Sequence, residues 1–321
     1  MESYTNTADM LIQMETKQKW TREDIIGGYI LTPPPNMAKG RSIILGRAES
    51  CCFFDTDITL TSPLIERYYY KQKCIQVSLV DGIDMEFYQN KADTYKASEG
   101  LFCMISNIPQ AWFQRLDEGA RQKVLSVVIT EQFFKEQNIA FSQDDWDRID
   151  NIIAGKISIP KIELILKDIK KLSMSKLSFN IMFQSKIMEI LALLLEYAFQ
   201  KEKNTTPITL TRRSREAAKQ AMLILNDNYI NPPVVSSLSF ALEVDVCTLQ
   251  KAFKQLTRQT VYDYIVTLRM NKALSLFEDK SLSIEKIAKM VGYQSKANFY
   301  KAFENAYSCK PNELRKQILN G

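Results

Sequence analysis

Two short stretches of this 321-residue chain place polar side chains on one face of a helix and apolar ones on the other. From Asp245 to Phe253, Leu249 and Phe253 stand four residues apart and leave Cys247, Thr248, Gln250 and Lys251 on the outer side. From Ser295 to Phe303, Phe299 and Phe303 repeat that spacing and leave Lys296, Ala297, Tyr300 and Lys301 outside. These residue types suit the reading of base edges in a DNA major groove. A glutamine amide pairs bidentately with adenine, a lysine reaches guanine O6 and N7, and Cys, Thr, Ala or Tyr offers apolar contact, for example to thymine methyls. Lys254, Arg258, Arg269 and Arg315 are cations suited to phosphate contact or to structural roles, which fix register without reading sequence.

The other chemistries are poorly provided for. Histidine is absent from the chain, which rules out Ser-His-Asp and Cys-His catalysis, His-rich zinc sites and histidine pH switching. The six cysteines are Cys51, Cys52, Cys74, Cys103, Cys247 and Cys309, with no CxxC pair among them. A zinc site would have to gather thiolates or carboxylates from distant parts of the chain. The reading is therefore a non-enzyme, with no catalytic residue, no metal site and no cofactor.

The elements that must position the outward residues are legible around Ser283 to Phe303. Ile284, Ile287, Ala288 and Val291 fall at i, i+3, i+4 and i+7, the stripe of a short helix that Ser283 caps. Gly292 follows as the left-handed residue that ends the helix and permits a tight turn, and Ser295 can cap the next helix. This is a helix-turn-helix, whose second helix enters the major groove. Upstream, Ser236 to Phe277 supplies a second such unit and a long connecting helix, with Leu238, Ser239 and Leu242 at core positions and Asp245 as a cap. Two units on a rigid helix would set their recognition helices about 34 Å apart, one DNA turn.

Over roughly Ile208 to Lys316 the chain resembles the C-terminal domain of the AraC/XylS family of bacterial transcription regulators. The resemblance is carried by Ser283-Ile284, Glu285, Ile287-Ala288, Val291-Gly292-Tyr293, Phe299, Phe303, Pro311 and Arg315, and upstream by Lys254, Tyr264, Arg269, Ala273 and Leu276. Departures stand at Glu304, where a lysine is usual, at Ser308, where glycine is usual, and at Leu314, where tyrosine is usual. Glu243 and Arg258 also replace glycines, which predicts a strained or shifted first turn.

The rest of the chain is read as an α+β arrangement. Strand-like runs at Arg41–Gly46, Gly100–Ile105 and Lys123–Thr130, and a hairpin centred on Asp81-Gly82 within Ile75–Gln89, predict a small sandwich or barrel. Helices follow from Gln143, from Pro160 and across Phe183 to Ala198; the last is apolar around much of its circumference, so core packing or a second subunit could cover it. Its densest run, Ile187–Phe199, falls short of the ~18 uninterrupted residues of a membrane span. The expected domains are a cupin-like sensory or dimerisation domain with a helical extension over 1–200, a linker over 201–207 and an all-α double helix-turn-helix domain over 208–321; the cupin-like description is implied by the family resemblance. Residues 208–321 hold 17 Lys+Arg against 10 Asp+Glu, and residues 1–207 hold 25 against 27. The formal charge of +5 is thus concentrated where nucleic acid would bind.

What the chain would do follows from both readings: it would bind double-stranded DNA as a ligand-responsive regulator, most naturally an activator, with RNA polymerase as the partner that family resemblance implies. A regulator controlled by a protein partner is the alternative, and a methyl-accepting repair protein resembling Ada the remote one. Gly292-Tyr293, Arg269-Met270 and the FQSKIMEILALLLEY helix are similar to siderophore-uptake regulators of the pyochelin-receptor type, which implies a ferric siderophore as effector. Arg67, Tyr69 and Trp112 are the candidate residues of its pocket. The N-terminus lacks a basic region followed by an apolar one, and free cysteines suit a reducing compartment, so a cytoplasmic protein is expected; the apolar helix around Ile187 to Ala198 motivates the expectation of a homodimer.

Overall fold

The computed structural model describes residues 2–4, 6–70, 72–81, 85–88, 94–97, 99–106, 110–153, 155–204, 211–257, 259–277, 279–307 and 309–320. The chain is α+β and divides into two compact units, one built on Glu2–Phe87 and Tyr95–Thr206, the other around Pro207–Gly321.

The first unit contains strands β1 (Glu2–Tyr4), β2 (Thr21–Ile25), β3 (Gly28–Thr32), β4 (Ala38–Arg47), β5 (Cys51–Leu60), β6 (Leu64–Tyr70), β7 (Cys74–Val80), β8 (Met85–Tyr88), β9 (Thr94–Ala97), β10 (Gly100–Ser106), β11 (Gln110–Leu116), β12 (Arg121–Thr130) and β13 (Gly155–Ile157). Its helices are α1 (Thr7–Thr16), α2 (Glu131–Glu136), α3 (Gln143–Ile153), α4 (Pro160–Lys170) and α5 (Lys176–Asn204). Eight strands form one antiparallel sheet in the order β13-β10-β7-β12-β5-β4-β3-β2, and five form a second in the order β1-β6-β11-β8-β9.

Both faces of the larger sheet are covered. Phe53, Val77, Val127 and Ile129 join a core with Phe133, Trp146, Ile162, Leu166, Phe183, Ile187 and Leu194 of the helices. Cys52, Cys74, Val80 and Val128, on the opposite pleat, pack with Leu11 of α1 and Leu116 of β11. This is why the run from Val124 to Thr130 shows no polar alternation: its residues are packed on both faces, fully buried from Ser126 onward. The edge strand β2, TREDI, is the exception, exposed and charged as an unpaired sheet edge requires.

Three sequence expectations change. The hairpin expected around Asp81-Gly82, of which Gly82 lies outside the described residues, is not a pairing of β7 with β8: β7 lies between β10 and β12 in the larger sheet, whereas β8 belongs to the smaller. A two-residue turn signal is a local preference, and the pairing of β7 with the long strands β10 and β12 overrides it. The helix α1 was not anticipated; its cap is Asn6, whose side chain accepts the Asp9 amide at 2.8 Å. Finally, α5 starts well before the apolar run that drew attention to it. Over Lys176–Glu202 it is long and apolar enough to cross a membrane by length and composition, with a mean hydropathy of 1.3 in its most apolar stretch. One face, from Phe179 to Ala198, is nevertheless built into the core, and Ile187, Ile190 and Leu194 are fully buried there. Of the residues read as linker, Lys201–Asn204 continue this helix.

The second unit is helical: α6 (Arg212–Asn228), α7 (Val235–Ala241), α8 (Val246–Thr257), α9 (Val261–Leu276), α10 (Ile284–Met290), α11 (Lys296–Tyr307) and α12 (Pro311–Asn320). Capping side chains begin most of them. Thr211 accepts the Ser214 amide, Thr260 the Asp263 amide and Ser283 the Lys286 amide, each at 3.1 Å. Helix α9 is shared. Tyr264 meets Phe253 of α8 edge-on at 5.3 Å, while Phe277, just past its end, stacks on Phe303 of α11 at 5.3 Å. The result is two helix-turn-helix units, α7–α8 and α10–α11, built on one connecting helix.

Candidate nucleic-acid interface

The two turns have the same backbone construction. In the first, the Leu242 amide bonds to Leu238 O and the Val244 amide to Ser239 O; in the second, the Val291 amide bonds to Ile287 O and the Tyr293 amide to Ala288 O. Glu243 and Gly292 occupy the left-handed position, with φ of 53° and 90°. The first turn is therefore not shifted by the loss of its glycine. It carries the strain of a side chain in the left-handed region, and Arg213 braces it by donating to Glu243 O at 2.7 Å and to its carboxylate at 3.2 Å.

Each turn delivers a recognition helix with its inner face locked. Leu249, Ala252 and Phe253 of α8 and Phe299 and Phe303 of α11 are fully buried. Asp245 caps α8 by accepting the Thr248 amide at 2.8 Å, and hydrogen bonds from Thr248 hold its carboxyl below the ordinary aspartate range. Ser295 caps α11 more loosely, with the Asn298 amide at 3.5 Å.

The outward rows follow the spacing read from the sequence. Cys247, Gln250, Lys251 and Lys254 are exposed on α8, with Thr248 half-buried beside them. Lys296, Ala297 and Lys301 are exposed on α11, and Lys296 Nζ lies 5.5 Å over the ring of the half-buried Tyr300. Sequence reasoning passed over Asn298, exposed on the same helix, although its amide has the adenine-reading capacity credited to Gln250.

The arginines are used differently from the lysines. Arg269 donates from Nε to Tyr229 O at 2.8 Å and from Nη2 to Ile230 O at 3.0 Å. Arg315 donates from Nε to Phe277 O at 3.2 Å and from Nη2 to Asp279 O at 2.6 Å. Both therefore satisfy carbonyls at the end of a helix, α6 and α9 respectively. Arg258 lies outside the described residues, as do the side chains of Arg67, Tyr69 and Trp112. The backbone register sets Trp112 opposite Tyr68, Arg67 opposite Phe113 and Tyr69 opposite Ala111 across β6 and β11. Among the described residues no cluster of His, Cys, Asp and Glu could hold a metal ion. Cys51, Cys52, Cys74 and Cys103 are buried free thiols pushed to higher pKa by burial, Cys74 to about 12.

Comparison with known proteins agrees with this geometry. Residues 238–317 match the helix-turn-helix domain family. The chain is 29% identical over 118 residues to the Msm operon regulatory protein of Streptococcus mutans, covering 36% of this chain and 42% of that protein. It is 32% identical over 99 residues to the xylose operon regulatory protein of Escherichia coli, covering 31% of this chain and 25% of that protein. The matched segments thus span less than half the length of these relatives. Among solved structures, ToxT from Vibrio cholerae aligns with 85% of this chain and 100% of its own at 13% identity and a TM-score of 0.40. The C-terminal unit is a double helix-turn-helix DNA-binding domain. It is of the AraC/XylS type.

Proposed function

We propose that this protein is a sequence-specific transcription regulator that reads two adjacent major-groove segments, one with α8 and one with α11. The observation that carries the reading is the pair of locked recognition helices, each presenting an exposed row of base-reading side chains from one compact unit. The excess of basic residues in that unit supplies the attraction to phosphate. In a gel-shift assay at fixed salt, Gln250→Ala and Lys296→Ala are expected to weaken binding to a selected site by about 10-fold while leaving random DNA within about 2-fold. Lys254→Ala is expected to lower affinity for both and to reduce the salt slope by about one. Equal losses on both DNAs for Gln250→Ala and Lys296→Ala would remove sequence reading from these helices.

The remaining parts of the reading concern the β-rich unit. It serves as a cupin-like receptor for a small-molecule effector, and the protein is a non-enzymatic, cytoplasmic activator that acts through RNA polymerase. The four buried cysteines weigh against methyl acceptance, since a raised thiol pKa leaves little thiolate to react. Homodimerisation is assigned to α5, but not to the residues that first pointed to it. Ile187, Ile190, Leu191 and Leu194 are spent on the internal core, whereas Ile181, Met188 and Phe199 form an exposed apolar stripe on the outer side.

A further inference from the structure

One guanidinium sits between the end of α6 and the turn of the second helix-turn-helix unit. Arg269 leaves the middle of α9, closes the end of α6 through its bonds to Tyr229 O and Ile230 O, and lies 5.3 Å over the ring of Tyr293. Tyr293 directly follows the turn of the second unit. Gly292 at that turn has no side chain to spare: a Cβ there would stand 2.8 Å from Ile230 O and 3.1 Å from Cζ and Nη2 of Arg269. The end of α6, against which α8 packs, the shared helix α9 and the turn of the second unit therefore come together around this side chain. Arg315 repeats the carbonyl bonds one unit later, at the end of α9.

We propose that Arg269 is a positioning residue that fixes the distance and rotation between α8 and α11, so that the protein selects the number of base pairs separating the two segments it reads. The proposal rests on the two-helix reading of DNA given above. One added base pair turns the second segment by about 35° and moves it by about 3.4 Å, a change that a locked pair of helices does not follow. A phosphate contact by Arg269 is the competing role, and it predicts a different pattern of loss. Such a contact would contribute equally to every DNA and would titrate with salt, whereas a clamp between units changes only which spacing fits.

The test uses the full chain and DNA selected by it from a random pool, with one or two base pairs inserted between or deleted from the two protected segments. The unaltered protein is expected to lose at least about 10-fold in affinity on each change of spacing. Arg269→Met and Gly292→Ala are expected to shrink that loss to about 3-fold or less without changing the salt slope, and Arg269→Lys to fall between. A uniform loss at every spacing for Arg269→Met, with the salt slope reduced by about one, would overturn the proposal in favour of phosphate binding. A second measurement needs no DNA. Spin labels on exposed Cys247 and on Lys301→Cys, in a Cys309→Ser background, report the separation of α8 and α11. A single narrow distance that broadens in Arg269→Met is the expected result, and a distribution unaffected by Arg269→Met would overturn the proposal. An Arg269-dependent narrow distance in a protein without a preferred spacing would refute two-segment reading, and spacing selection with it, leaving only the clamp.

Discussion

At the scale of single residues, Glu243 shows how a sequence departure is absorbed. The first turn needs a left-handed residue, and Glu243 adopts a φ of 53° to provide one, with Arg213 bonded to its carbonyl. Glu243→Gly should therefore raise stability by about 0.5–1 kcal/mol, since glycine reaches this region freely and the exposed Arg213–Glu243 ion pair it gives up contributes little. Thermal unfolding of the two proteins at one pH measures this directly; an unchanged or lowered midpoint would show that Arg213 has already removed the strain. The contrast with Gly292 is instructive. There the glycine is required twice, by its φ of 90° and by the carbonyl of Ile230 that a Cβ would strike. From sequence, the first requirement was readable and the second was not, because Ile230 lies about sixty positions away and only the folded unit brings it there.

At the scale of elements, α5 separates what periodicity shows from what packing decides. Its composition is apolar enough to leave membrane span, core helix and interface all open, and its two faces resolve the matter differently. Ile187 is fully buried in the core that helices and sheet share, and Ile187→Ala should cost about 2–5 kcal/mol in chemical denaturation. Ile181 is 64% exposed, and Ile181→Ser should change stability by no more than about 0.5 kcal/mol. Comparable losses at both positions would mean that the outer stripe is covered within the chain. The short helices α7, α8, α10 and α11 were far more legible. In the second unit the cap Ser283, the turn glycine Gly292 and the buried Phe299–Phe303 repeat all lie between positions 283 and 303, and in the first the cap Asp245 and the Leu249–Phe253 repeat are as close, so local chemistry determines them. The sheets were legible only as strands. Which strands neighbour which depends on contacts far apart in sequence, as the placing of β7 and β8 in different sheets illustrates.

At the scale of the whole molecule, charge and apolar surface are segregated. Net positive charge collects in the C-terminal unit, and the long apolar stripe of α5 belongs to the other. If α5 pairs two copies, each dimer carries four recognition helices, and affinity for paired sites rises through linkage rather than through new base contacts. Sedimentation at micromolar concentration should show a dimer, and Ile181→Lys combined with Phe199→Lys should convert it to a monomer that retains gel-shift activity on a single site. A monomer in the unaltered protein would count against α5 as the joining element.

The double role of α9 has a consequence for how such a domain can change over time. Its first half completes one helix-turn-helix through Tyr264 and Phe253, and its end opens the next through Phe277 and Phe303. Neither unit can be excised or duplicated alone without stranding half of that helix's apolar side chains in water. On this packing the two units stand or fall as a pair, and the parts open to exchange without disturbing the core are the outer rows of α8 and α11.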